Sequence, residues 1–173
     1  MKKCEAVINI GRRKFLSNAG VVVAGTSVSR MASAEARGTP APACIVYPSN
    51  RLANLRDLKL NEPLDAPYPD QDAPGVLLKL GMQAPGGAGP ERDIVGFSTI
   101  CPHKGFPLAY DKSDRTLSCP GHYSRFDCEA GGQEIWGHAT QNLPQYILHV
   151  DDKGDIYAEG LDELLYGRLS NVL

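Results

Sequence analysis

Two short stretches place thiols beside imidazoles: Cys101-Pro-His103 and Cys119-Pro-Gly-His122, separated by fifteen residues. Thiolates and neutral imidazoles are ligands for iron and zinc. Two of each can hold a 2Fe–2S cluster, with both cysteines on one iron and both histidines on the other. Two ferric ions, two sulfides and two thiolates sum to roughly zero charge, about two units less negative than a four-cysteine cluster. A neutral cluster accepts an electron more readily, which lifts its potential into roughly the −150 to +300 mV range. The chemistry is then one-electron transfer, with no open coordination position for a substrate. The same four groups also form a common structural zinc set. Zinc sites usually keep like ligands together, as C-x2–4-C with H-x3–5-H, whereas each knuckle here mixes one Cys with one His. A non-redox zinc module therefore stays the alternative on the ligands alone.

The elements that must position these knuckles are short strands. Val76-Leu-Leu-Lys-Leu80 and Ile94-Val-Gly-Phe-Ser98 are apolar, β-prone runs. Tyr146-Ile-Leu-His-Val150 and Asp155-Ile-Tyr-Ala158 flank the turn residues Asp151-Asp-Lys-Gly154, which predicts a hairpin. Thirteen prolines and 18 glycines punctuate the rest, and long helical periodicity is absent; only Leu161 to Tyr166 suggests a helical turn. The pattern predicts an all-β antiparallel barrel or sandwich. A small inserted cluster-binding subdomain, about residues 96–131, would present the knuckles at one end. Ala84-Pro-Gly-Gly-Ala-Gly-Pro90 reads as a flexible surface loop, because it lacks the Lys-Ser/Thr and the helix of a phosphate cradle. No internal repeat is evident. His138 and His149 lack a knuckle context and read as ordinary structural residues, and Trp136 as core or interface.

Residues 1–34 read as an export signal. Arg12-Arg13-Lys14-Phe15-Leu16 has the form of a twin-arginine motif, Ala19 to Val28 is mildly apolar, and Ala32-Ser33-Ala34 is a small-residue cleavage pattern. The apolar run is about half of the ~20 residues that a membrane span needs, so no stable membrane span is expected and the product is read as periplasmic. The remaining residues, 35–173, amount to one domain. They hold 12 of the 18 Lys and Arg and 19 of the 20 Asp and Glu, a net charge of −7. That balance argues against nucleic acid as a partner. Of the five cysteines, Cys4 lies in the signal, and Cys44 and Cys128 are left for either a bridge or two separate thiols.

The spacing C-x-H-x15-C-x2-H, with its glycine-bearing loops and β context, resembles a Rieske iron–sulfur protein. The resemblance implies that Cys101 and Cys119 ligate the inner iron, and His103 and His122 the outer one. Gly105 would let the first loop pass the cluster where a side chain would collide. Ser124 matches a serine whose hydroxyl bonds a bridging sulfide, whereas Phe126 stands where high-potential members carry tyrosine. Many members also tie the two loops with a disulfide; here those positions are Phe106 and Gly121, so packing by Phe106 and Pro107 must serve instead. Lys104 occupies a position that is usually apolar in quinol-oxidising members; a lysine there suits a wet protein contact better than a lipophilic pocket, or is simply a solvated charge at the loop tip.

Further stretches resemble the small subunit of arsenite oxidase: Gly86-Gly-Ala-Gly-Pro90 before Asp93-Ile-Val95, Asn142-Leu-Pro144, and Tyr166-Gly-Arg-Leu-Ser-Asn-Val-Leu173. This implies an electron-transfer subunit without a substrate site, paired with a large molybdopterin subunit carrying a 3Fe–4S cluster. Electrons from arsenite oxidation would reach the Rieske centre and leave to a c-type cytochrome or a cupredoxin. The competing readings are the Rieske subunit of a cytochrome bc-type quinol oxidase and a dioxygenase ferredoxin.

Overall fold

The computed structural model describes residues 46–168. The expected signal at 1–34, Cys44, and the last five residues of the terminal stretch lie outside them. Ten strands follow one another: β1 (Asn50–Asn54), β2 (Leu64–Asp65), β3 (Gly75–Lys79), β4 (Ile94–Ser98), β5 (Ala109–Asp111), β6 (Thr116–Ser118), β7 (Arg125–Asp127), β8 (Gln133–Trp136), β9 (Tyr146–Val150) and β10 (Asp155–Leu161). They form three antiparallel sheets, ordered β1-β10-β9, β2-β3-β4 and β5-β6-β7-β8. The all-β expectation holds. Among the described residues the sole helical element is a 3-10 turn at Leu55–Asp57, closed by a reciprocal Asn54–Asp57 cap.

The apolar runs became the central strands because both their faces are covered. Val76 and Leu78 enter one core cluster with Val95, Phe97, Leu117, Phe126 and Leu143. Leu77 and Ile94 face the other way and pack with Ala53 and Ile156. A strand buried on two faces shows continuous rather than alternating apolarity, as Gly75–Lys79 and Ile94–Ser98 do. β9, covered on one side, alternates instead. A third cluster centres on Tyr68 and Tyr146, whose rings lie 5.4 Å apart. The Tyr146 hydroxyl donates to the Ala66 carbonyl at 3.0 Å. Its ring fills space left free in two neighbouring strands: a Cβ on Gly96 would stand 2.6 Å from it.

The predicted β9–β10 hairpin forms around Asp151, whose Oδ1 accepts from the Lys153 and Asp155 amides, both at 2.9 Å. Arg51 on β1 donates to Asp155 at 2.7 Å and Asn54 donates to the same carboxylate at 2.9 Å. These donors hold the Asp155 carboxyl below its ordinary pKa. A depressed carboxylate pKa adds stability above the unfolded value, near 4, and that stability is lost as pH falls through the folded value. Asp155→Asn is therefore expected to lower the urea midpoint at pH 7 and to lower it by less at pH 3, where part of the wild-type advantage is already lost. Equal losses at both pH values would refute the electrostatic account.

Two expectations are corrected. Leu161 closes β10, and residues 162–168 run on as bends and a turn with no helix; Leu165 is buried and lines a crevice with the 72–74 loop and Ile100. The glycine-rich 84–90 loop is not a free connection. Ala84 is buried, the Ala88 amide donates to the Ile94 carbonyl at 2.8 Å, and Gln145 Nε2 donates to the Pro85 carbonyl at 2.8 Å.

Candidate metal centre

The first knuckle leads from β4 into β5 and the second joins β6 to β7, and they are built as one turn used twice. The Cys101 amide donates to the Phe106 carbonyl at 2.8 Å, and the Gly105 amide returns to the Cys101 carbonyl at 2.8 Å. The Cys119 amide donates to the Ser124 carbonyl at 2.8 Å, and the Tyr123 amide returns to the Cys119 carbonyl at 3.1 Å. A proline follows each cysteine and presets its φ. The fourth residue after each cysteine takes the left-handed conformation, Gly105 at φ 73° and Tyr123 at φ 62°. Glycine adopts that region freely, whereas an aromatic residue there is strained. The equivalence is invisible in the sequence because one of the two corners is a tyrosine.

The turns sort the four candidate side chains into two pairs. Cys101 and Cys119 are buried in the core beside Leu117 and Phe126. Burial pushes the Cys101 thiol above its ordinary pKa; the His103 and Lys104 amides act against this, and the Cys119 thiol adds to it as a hydrogen-bond partner. The imidazoles of His103 and His122 meet edge to face with centroids 4.8 Å apart, and His122 is exposed. Burial, then His122 and Lys104, lower the pKa of His103, which favours the neutral imidazole that a metal requires. Its Nδ1 is buried and makes no hydrogen bond to any described group. Among the described residues no three His, Cys, Asp or Glu side chains gather as a single metal ion requires. A thiol pair and an imidazole pair make up the ligand set of a two-iron cluster, with one pair for each iron.

The remaining expected residues fall around these pairs. Ser124 is buried, and its Oγ accepts from the His138 and Ala139 amides, each at 3.0 Å, leaving its own proton free to donate. Phe126 is fully buried in the cluster of side chains that holds both cysteines. Phe106 seats its ring on Gly121, where a Cβ would lie 2.9 Å from a ring carbon, and meets the His122 ring edge-on at 5.9 Å. That contact joins the two positions where a disulfide would otherwise run. Lys104 is exposed. Cys128 is buried with its thiol pushed up to about 12 by burial, which makes it an unreactive core residue.

The sequence missed His138. Its ring lies 5.9 Å from that of His103 and 6.4 Å from that of His122, so three imidazoles crown the tip. The 137–139 loop that carries it is placed by Ser124, and no local motif signals that. Trp136 is not a core residue either: it is 69 % exposed and, with Tyr123, Arg125, Ser118 and Cys119, lines a cleft of about 240 Å³.

Phe126 sets one quantitative expectation. A tyrosine there would carry a hydroxyl into the core that holds the cysteine sulfurs, and a hydrogen bond to sulfur stabilises the reduced state. At about 1 kcal/mol for such a bond, Phe126→Tyr is expected to raise the midpoint potential by roughly 40 mV. An unchanged potential in a redox titration would remove Phe126 from the tuning residues.

Comparison with known proteins agrees with this geometry. A family model described as the Rieske [2Fe-2S] domain matches residues 52–147. The chain is 40% identical over 165 residues to the iodate reductase subunit IdrB of Denitromonas iodatirespirans, covering 94% of this chain and 86% of that protein. It is 39% identical over 164 residues to the IdrB subunit of Pseudomonas sp. strain SCT, covering 91% and 82%. In fold it is similar to the soluble domain of the Rieske protein II (soxF) from Sulfolobus acidocaldarius, with a TM-score of 0.63, 24% identity, and 70% of this chain and 82% of that one covered.

Proposed function

The chain belongs to the Rieske [2Fe–2S] domain family, and from that membership we propose that it is the electron-transfer subunit of a periplasmic oxyanion oxidoreductase. The carrying observation is the split of the ligand candidates into buried thiols and imidazoles at the surface. Cys101 and Cys119 would hold one iron, and His103 and His122 the other. When bound, the cluster takes up and releases one electron at a time. The protein's own residues prepare that exchange. The amides of His103 and Lys104 point toward the Cys101 sulfur, and such donors favour the reduced state. Ser124 offers its proton from a fixed position. The Phe106–Gly121 contact keeps the knuckles together, and exposed His122 brings the imidazole edge to where a partner can approach.

The catalytic partner is read as a large molybdopterin subunit carrying a 3Fe–4S cluster, and export as the twin-arginine route through residues 1–34. For the substrate we favour iodate, because two relatives that match over nine-tenths of the chain are iodate reductase subunits. Electrons would then run from a c-type cytochrome or cupredoxin through this chain to the catalytic subunit. Arsenite oxidation is the second reading, supported by the Gly86–Pro90, Asn142–Pro144 and Tyr166–Leu173 stretches, and it reverses the flow. A quinol-oxidising role is disfavoured by Lys104 at the tip, and among the described residues no helix is long and apolar enough to cross a membrane.

One experiment separates the readings. The complex is isolated from the native periplasm, and the EPR signal of the reduced Rieske cluster is followed. Iodate is expected to abolish the signal of the pre-reduced complex, whereas arsenite would generate it in the oxidised complex. Response to neither, or recovery with a membrane cytochrome b, would overturn the proposal.

A further inference from the structure

We propose that residues 162–168 form a brace for the first knuckle, with Tyr166 as its positioning residue. Such a brace is needed because the knuckles, although the same turn, are supported differently. The second closes the β6–β7 hairpin, so Ser118 pairs with Arg125 directly beneath it. The first joins β4 of one sheet to β5 of another, and only the isolated Ile100–Pro107 bridge ties its two ends. A crossover loop opens more easily than a hairpin loop of the same length, since no strand ladder must break with it.

The segment after β10 supplies the missing support and is fixed at both ends. At its start the Asp162 amide donates to the Gln145 carbonyl at 3.1 Å, and the Asp162 carboxylate accepts from the Gln145 amide at 2.7 Å. At its end Arg168 grips Asp70 through two parallel hydrogen bonds of 3.0 and 2.6 Å, the planar fork that guanidinium and carboxylate form best. Between these anchors Leu165 is buried and lines one crevice together with Ile100, the residue before Cys101. Tyr166 then reaches the knuckle itself: a Cβ placed on Gly105 would stand 3.0 Å from its Cε1 and 3.3 Å from its Cδ1. The ring thus fills the side of the left-handed corner that glycine leaves bare. In the second knuckle Tyr123 occupies the equivalent corner and is 72 % exposed, without such support. These two contacts give the Tyr166-Gly-Arg168 stretch a place in the structure.

The inference rests on the reading of Cys101 and His103 as cluster ligands for its functional meaning, though not for its geometry. Two measurements on the full chain keep these apart. The first is exchange of the Gly105 amide hydrogen, which is bonded to the Cys101 carbonyl at 2.8 Å; the second is the first-order loss of the cluster's visible absorbance in the presence of an iron chelator. Tyr166→Ala and Asp70→Asn are each expected to speed both by about tenfold, the change that one side-chain contact makes to a local opening. Tyr166→Phe, which keeps the ring, is expected to stay within twofold of the wild type, as is Leu164→Ala, an exposed neighbour on the same segment. Circular dichroism melts report whether the fold survives, and Asp70→Asn remains informative if Tyr166→Ala does not fold. Unchanged exchange at Gly105 in both variants, or an equal effect of Leu164→Ala, would overturn the brace. Faster exchange in a chain that never shows a Rieske EPR signal would support the brace and refute the ligand assignment.

Discussion

Replacing Gly137 with alanine is expected to cost several kcal/mol and to strip most of the cluster. Gly137 has φ 114°, outside even the left-handed pocket that other residues tolerate. A Cβ there would lie 2.3 Å from the Ser124 Cα and 2.7 Å from the Ser124 nitrogen. Both are backbone atoms in the second knuckle, so no side-chain rotation relieves the overlap. Backbone strain of about 1–3 kcal/mol adds to an overpacking penalty of similar size. Relief by moving the 137–139 loop would break the two hydrogen bonds that Ser124 accepts and draw His138 away from the other imidazoles. Urea unfolding and EPR spin counting per chain measure the two consequences. A variant with wild-type cluster content would show that this loop is not part of the site's frame.

The second large effect separates two thiols that look alike by burial. Cys119 and Cys128 both lie in the same core cluster, each at most 2 % exposed. Cys119→Ser is expected to abolish the EPR signal, because a hydroxyl does not replace a thiolate on iron in this softly ligated pair. Cys128→Ser is expected to keep the cluster and to lose about 1–3 kcal/mol of stability, the usual result of placing a hydroxyl in an apolar pocket. Visible and EPR spectra of the two variants, prepared in parallel, check both. Retention of the signal in Cys119→Ser would refute the ligand set.

What was legible in the sequence, and what was not, follows the range of the forces involved. Cys101, His103, Cys119 and His122 stood out because their chemistry has few alternatives at that spacing. β3, β4 and the β9–β10 hairpin were readable because each side of their pattern is set by burial or by turn residues within a few positions. The segment Leu161–Tyr166 was misread because Leu161, Leu164 and Leu165 fall at helical spacing. Leu165 and Tyr166 instead spend their apolar surface on a loop some sixty residues earlier, and Arg168 holds them there. His138 escaped notice for the same reason. Its place beside His103 depends on Gly137 folding over Ser124, a contact between strands that no window of sequence contains. The similarity of the two knuckles was hidden by Tyr123, which takes a glycine's conformation without being one.

The Phe106 ring on Gly121 also bears on how the centre matures. A disulfide at these positions would place two further thiols within reach of incoming iron before it closed, so iron would meet four nearby sulfurs and several wrong pairings. Here Cys101 and Cys119 are the thiols that the two knuckles carry, and the Phe106–Gly121 contact between the knuckles is apolar. Closure needs no oxidant and is undone by no reductant. A clasp indifferent to the redox state of its surroundings is what a phenylalanine and a glycine contribute where two cysteines would stand.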